Sequence, residues 1–192
     1  HITDDELGQG TPKEKFRANI MTIQLLKKCE DENRNATPEE QEILSRYVGW
    51  GGLADAFDET KSAWETEYLE LKTVLTPEEY AAARASTLNA HYTQPIVIES
   101  MYQALENLGF TKGNILEPSM GVGNFFGMLP EKLNQSKLYG VELDSISGRI
   151  PKLLYPDANI QIKGFEKTDY PNDFFDVAIG NVPFGQYKVA DR

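Results

Sequence analysis

The sequence predicts an α/β protein in which a helical region precedes a sheet of four parallel strands. Two observations carry that reading. Through residue 88 apolar residues recur at helical spacing, and Thr-Pro-Glu-Glu helix starts stand at residues 37–40 and 76–79. From residue 89 onward, short apolar runs alternate with helical stretches, the pattern of parallel strands joined by right-handed crossovers. The division is therefore a helical N-terminal region, 1–88, and an α/β domain, 89–192.

Taken in order, the first dozen residues are polar and glycine-rich and form a loose lead-in. Phe16, Ile20, Ile23 and Leu26 mark the buried stripe of a helix from Lys13 to Asp31. Cys29 lies on the same apolar face, where core packing explains it better than catalysis. Thr37 caps a second helix that has Pro38 at its first position and runs towards Tyr47. Gly49-Trp50-Gly51-Gly52 then makes a tight corner, with Trp50 buried at a helix junction rather than stacked on a ligand. Helices follow from Trp64 to Leu75 and from Thr76 to about Ala85, their acids read as a solvated face. Beyond the polar loop His91-Tyr92-Thr93-Gln94-Pro95 comes a helix from Ile96 to Leu108. Strands are expected near 114–118, 137–143, 160–164 and 175–181, with helices at 124–134 and 146–154.

Composition narrows the classes. The chain has 192 residues, 40% of them hydrophobic, enough for a core, and no apolar run long enough to span a bilayer, so no membrane partner is expected. One cysteine excludes an internal disulfide and fits a reducing cytoplasm. Two histidines and one cysteine leave no metal-site spacing. The net charge of −11 is uneven: residues 1–90 carry 18 acids against 10 bases, and the remainder 12 against 9. A basic nucleic-acid footprint is missing. The opening histidine and the absence of a signal-peptide pattern lead to the expectation of a trimmed chain or excised piece.

The chemistry centres on Asn114 to Gly127. Ile115 and Leu116 form a buried strand that stops at Glu117-Pro118, turns through Gly121-Val122-Gly123 and enters a helix at Asn124. Close glycines let a ligand approach backbone without a Cβ in the way. The loop departs from the dinucleotide fingerprint, because Gly127 stands one residue too late for its third glycine. Glu117 would repel a pyrophosphate and favour an ammonium group. S-adenosylmethionine carries an ammonium and no phosphate. Glu142, nineteen residues after Gly123, stands where ribose hydroxyls are bound in such sheets. Alone, the loop is a weak signal that an ordinary strand-to-helix turn could also explain.

The fourth strand ends in Asn181-Val182-Pro183-Phe184. An amine conjugated to a purine is a poor nucleophile, and acceptors at the Asn181 side chain and the Val182 carbonyl could direct its lone pair and stabilise growing positive charge. Phe184 could stack on a base taken out of a duplex.

Glu117-Pro118-Ser119-Met120-Gly121-Val122-Gly123-Asn124-Phe125, together with Asn181-Val182-Pro183-Phe184, resembles the N6-adenine class of amino-methylating DNA methyltransferases. Tyr92-Thr93-Gln94-Pro95 looks like that family's Tyr-Thr-Pro element, here in the permutation that places it first. The resemblance implies a Rossmann-like S-adenosylmethionine-dependent sheet. It implies that Tyr92, Thr93, Glu117, Pro118, Gly121, Gly123, Asn124 and Phe125 surround the methionine end of the cofactor. Glu142 would take the ribose, Leu143 and Phe165 would flank the adenine, and Glu166 would receive its amino group. Asn181, Pro183 and Phe184 would form the target-adenine motif, with Asn181 also bordering the cofactor. Tyr47-Val48-Gly49-Trp50-Gly51-Gly52 and Ser86 to Thr93 are similar to the methylase-like front end of large helicase-type proteins of bacterial conjugative elements and phages. Linked helicase-type domains are therefore expected, and DNA contact through downstream regions.

Three features depart from the family pattern. Val182 replaces the first proline of Asn-Pro-Pro-Phe, Gln94 is inserted in Tyr-Thr-Pro, and the chain ends eight residues after Phe184. A partial sheet is expected from the last. The rival readings are a non-catalytic DNA- or partner-binding module, and an amine methyltransferase acting on RNA or protein.

Overall fold

The computed structural model describes residues 8–88 and 93–182. In the helical region α1 (Pro12–Asp31), α2 (Pro38–Ser45), α3 (Glu65–Val74) and α4 (Pro77–Ser86) follow one another. Three of them begin with the same capping chemistry. Thr11, Thr37 and Thr76 each accept from the third helical N–H, and Glu14, Glu40 and Glu79 each reach back to the cap's own N–H. The helix expected from Trp64 is a single 3₁₀ turn, Ser62–Trp64, continuing into α3.

The α/β part opens with α5 (Pro95–Asn107). The sheet follows, β1 (Asn114–Glu117), β2 (Lys137–Glu142), β3 (Asn159–Ile162) and β4 (Val177–Ala178), with α6 (Asn124–Gly127) and α7 (Ser145–Leu154) in the crossovers. All pairings are parallel and the strand order is β3-β2-β1-β4. Several expected elements are shorter than the sequence reading had them, α6 and β4 most of all. The helix over 124–134 stops at Gly127, because Pro130 cannot continue it, and resumes only as a 3₁₀ turn at Glu131–Leu133. The last strand is confined to Val177–Ala178, although Ile179 still donates its N–H to the Leu116 carbonyl at 2.9 Å.

Register explains the packing. Ile115 pairs with Leu138 and with Val177, so the three share one face, where Ile98 and Tyr102 of α5 and Phe125 of α6 cover them. Ile162 lies on that same face, in register with Glu142, and packs so close to Gly148 that a Cβ there would approach its Cγ1 to 2.9 Å. This close approach seats α7 on β3. The opposite face carries Tyr139, whose ring meets those of Tyr170, Phe174 and Phe175 edge-on.

The helical region is joined to the sheet by a common core. Phe16, Ile20, Ile23, Leu26, Leu44 and Trp50 form one buried cluster with Ile146 and Ile150 of α7. Trp50 is buried as expected, its ring edge-to-face with Phe16, Tyr47 and Phe57. Cys29 is likewise buried. The reading of the helical region's acids as a solvated face fails at Glu79, which is 9% exposed. Its carboxylate accepts from Lys27 at 2.6 Å and from Arg149 of α7 at 2.8 Å, and Arg149 grips Glu30 of α1 through two further bonds. At the other end of α7, Gln41 of α2 donates to the Leu153 carbonyl at 2.9 Å.

Burial acts to raise the Glu79 pKa, but bonds from Lys27, Arg149 and Thr76 outweigh it and leave the carboxyl below its ordinary value. A depressed carboxyl stabilises the fold above its unfolded pKa, and that stability is lost as pH falls through the folded value. Glu79→Ala should lose about 2 kcal/mol at neutral pH. The gap from wild type should close below about pH 4 in denaturant titrations, which a pH-independent gap would contradict.

Candidate functional site

The strand order reverses at β1: the chain steps outward through β2 and β3, then returns to pair β4 on the other side. Ligands of open parallel sheets bind at such a switch point, beyond the carboxyl ends of the strands. Glu117 ends β1 there. Gly180, just past β4, lies against it, since a Cβ on Gly180 would sit 3.4 Å from Glu117 Cγ.

Glu117 is 2% exposed, and its Oε2 has no hydrogen-bond partner among the described residues. Burial, reinforced by the nearby Glu142 carboxylate, pushes its pKa well above the usual carboxylate range. Tyr102, whose hydroxyl could have answered it, donates instead to the Phe125 carbonyl at 2.7 Å. A buried carboxyl oxygen without a partner is costly, so the arrangement suits a cationic donor.

The turn after β1 is held at both ends. Met120 donates its N–H to the Val141 carbonyl at 3.0 Å, and its side chain lies where a Cβ on Gly140 would stand. Gly121 and Gly123 adopt φ of 54° and 80°, the left-handed region that favours glycine. The space beside Gly121 Cα is open, whereas a Cβ on Gly123 would approach Tyr155 Cε2 to 2.8 Å. Tyr155 thus closes one side of the turn and packs on Phe126. Sequence reasoning missed this role, because nothing local to residue 155 announces it.

Glu142, at the end of β2, braces the turn. Its Oε2 accepts from the Gly121 N–H at 2.7 Å and its Oε1 from the Asp144 N–H at 2.8 Å. Burial, aided by the Asp144 carboxylate, raises its pKa against the backbone bonds from Asp144, Gly121 and Leu143. Asp144 in turn caps α7, accepting from the Ser147 N–H at 2.8 Å.

The other predicted residues fall into groups. Thr93 and Asn181 meet, Asn181 Nδ2 donating to Thr93 Oγ1 at 3.2 Å, which leaves Asn181 Oδ1 without a bond among the described contacts. Pro118 and Asn124 are half-buried at the turn. Phe125 is 2% exposed and packs on Tyr102 in the core, so only its backbone can face a ligand. Leu143 and Phe165 expose large apolar surface, 75% and 47%. Glu166 is also exposed, on a 3₁₀ turn, its carboxylate folded back over Gly164. Tyr92, Pro183 and Phe184 lie outside the described residues.

The chain resembles a phage protein. It is 30% identical over 185 residues to "Defense against restriction protein B" of Escherichia phage P1. That similarity covers 93% of this chain but only 6% of the phage protein, so the chain corresponds to a small part of a much longer polypeptide. The phage source agrees with the mobile-element setting expected from the sequence. No family model and no solved structure matches the chain. Among the described residues no helix is long and apolar enough to cross a membrane.

The raised carboxyl of Glu117 yields a stability prediction. A carboxyl whose pKa is raised on folding weakens the fold as pH climbs from its unfolded value towards its folded one. Glu117→Gln should therefore be more stable than wild type at pH 8, by about 1 kcal/mol or more, with the advantage shrinking towards pH 4. Thermal unfolding across that range checks it. A variant less stable at every pH would show that the carboxylate has a partner within the protein.

Proposed function

We propose that this chain is the cofactor-binding and catalytic-motif portion of an S-adenosylmethionine-dependent DNA adenine N6-methyltransferase-like domain. The observation that carries the reading is Glu117: a buried carboxyl oxygen without a partner, at the sheet's switch point, beside a glycine turn with open space at Gly121. The residues fit this cofactor better than a dinucleotide, because two carboxyl groups, Glu117 and Glu142, stand at the turn, where a pyrophosphate would be repelled.

In this reading Glu117 receives the cofactor's ammonium group, and Glu142 receives ribose hydroxyls. Leu143 and Phe165 supply apolar surface for its adenine. When bound, S-adenosylmethionine supplies an electrophilic methyl group on a sulfonium. The chain's part is positioning and electrostatics. Thr93 holds the Asn181 amide by its nitrogen, so Oδ1 is turned outward to accept from the exocyclic amine of a target adenine. The Val182 carbonyl offers the second acceptor. Together they orient the nitrogen lone pair and stabilise the positive charge that develops on it. In sequence Pro183 and Phe184 complete this motif, with Phe184 stacking on the extruded base.

The acidity of the chain and the missing proline at Val182 favour a second reading, a methyltransferase-like module that grips DNA or a partner without transferring a methyl group. Either role is compatible with the defence against restriction for which the phage relative is named.

Incubation with methyl-labelled S-adenosylmethionine separates the two readings, with adenine-containing DNA, RNA and protein offered in turn. Label should pass to DNA adenine. Asn181→Ala should lower the rate about 100-fold or more while cofactor affinity, read by equilibrium dialysis, stays within about twofold. Saturable cofactor binding without transfer to any substrate would favour the module. Label on RNA or protein alone would redirect the substrate assignment, and equal rates in wild type and Asn181→Ala would remove that residue from catalysis.

A further inference from the structure

The glycine turn is held from the helical side as well as from the sheet. Val122, its middle residue, is 7% exposed, and its side chain belongs to the helical region's core, with Phe16, Tyr47, Trp50 and Leu53. Tyr47 belongs to that core too, 3% exposed, while its phenol lies against Ser147 at the start of α7. Burial, with the Asp144 and Glu142 carboxylates nearby, keeps the phenol protonated, a neutral group rather than a charge.

Tyr47 is itself fixed from α1. Asn19, fully buried, accepts from the Val48 N–H at 3.0 Å and donates to the Gly49 carbonyl at 2.6 Å. Both bonds go to the two residues that follow Tyr47. A polar side chain on the buried face of α1 thus replaces a stretch of backbone pairing and pins the corner that presents the phenol. One line of contacts therefore runs from Asn19 to Tyr47, to the Asp144–Ser147 cap, to Glu142 and to the Gly121 N–H.

We propose that the helical region is a working part of the cofactor site, with Tyr47 and Val122 as positioning residues that hold the Gly121–Gly123 turn and the Glu142–Ser147 corner in ligand-ready geometry. The inference rests on the reading of that turn as the S-adenosylmethionine site. Neither residue touches the ligand; each acts through the backbone it holds. The helical region is then required for cofactor affinity, beyond any part it has in contacting other molecules.

The test compares three variants of the full chain: Tyr47→Phe, which removes only the hydroxyl; Val122→Ala, which withdraws the turn's anchor; and Leu71→Ala, which opens the same core from α3. Amide hydrogen exchange is read at 121–124 and 142–147 against the slowest amides of α1, and S-adenosylmethionine affinity is read by calorimetry. Tyr47→Phe should speed exchange at the turn and the α7 start about two- to tenfold relative to α1, and weaken cofactor binding by a similar factor. Leu71→Ala should lower the Tm without selective exchange at the turn and without loss of affinity per folded molecule. If the turn amides of Tyr47→Phe and Val122→Ala respond no more than those of Leu71→Ala, the inference is overturned. A wild-type chain that binds no cofactor defeats the cofactor reading and the affinity part of the inference. The exchange pattern still decides whether the helical region holds the turn.

Discussion

The candidate site depends on β1 standing between β2 and β4. That reversal of strand order leaves a crevice at the carboxyl end of β1, and the residue there is an acid. Had Glu117 ended an edge strand, water would solvate it. Between two neighbours, under the glycine turn and beside Gly180, its Oε2 is shut away from water without a partner. The second acid, Glu142, ends the adjacent strand and raises the cost of charging the first. A fold tolerates such a pair where a ligand completes it, and perturbed carboxyls at a switch point mark functional sites on physical grounds.

Around that crevice the molecule is organised as one packed body rather than as a sheet with an appendage. α7 bears on the sheet through Gly148 and Ile162 and on the helical region through Ile146 and Ile150. Arg149, between those two apolar positions, meets Glu79 and Glu30, and Gln41 closes the helix's far end. Apolar burial supplies the adhesion, while the bidentate guanidinium contacts fix how α7 sits against α1 and α4.

Much of the fold was legible because its signals are local. Thr-Pro-Glu-Glu announces a helix start through cap, proline and reciprocal glutamate, and both copies form complete capping boxes. The same chemistry stood at Thr11-Pro12-Lys13-Glu14 and would have placed the first helix's start one residue earlier. Pro130 likewise advertised the end of α6, which pattern reading carried too far. What resisted reading is tertiary. Nothing local to Glu79 says that Lys27 and Arg149 will surround it. Asn19 looks like a polar flaw in an apolar stripe until its two bonds to the Gly49 corner are seen. At the site, the glycine turn and both acids were visible as spacing. That Glu142 braces the turn through the Gly121 and Asp144 N–H groups, that Phe125 faces the core, and that Tyr155 walls Gly123 depend on packing across the chain.

The central claim is that the Glu117 carboxyl, its pKa raised by burial and its Oε2 without a partner among the described residues, receives an incoming ammonium group. Calorimetric titration with S-adenosylhomocysteine, which keeps that group and lacks the transferable methyl, addresses it most directly when repeated near neutral pH in buffers of different ionisation enthalpy. Ionisation of Glu117 on binding should release protons, so the observed heat should change with the buffer, and the dependence should disappear in Glu117→Gln. Binding with a buffer-independent heat, or a proton release that survives Glu117→Gln, would contradict the account.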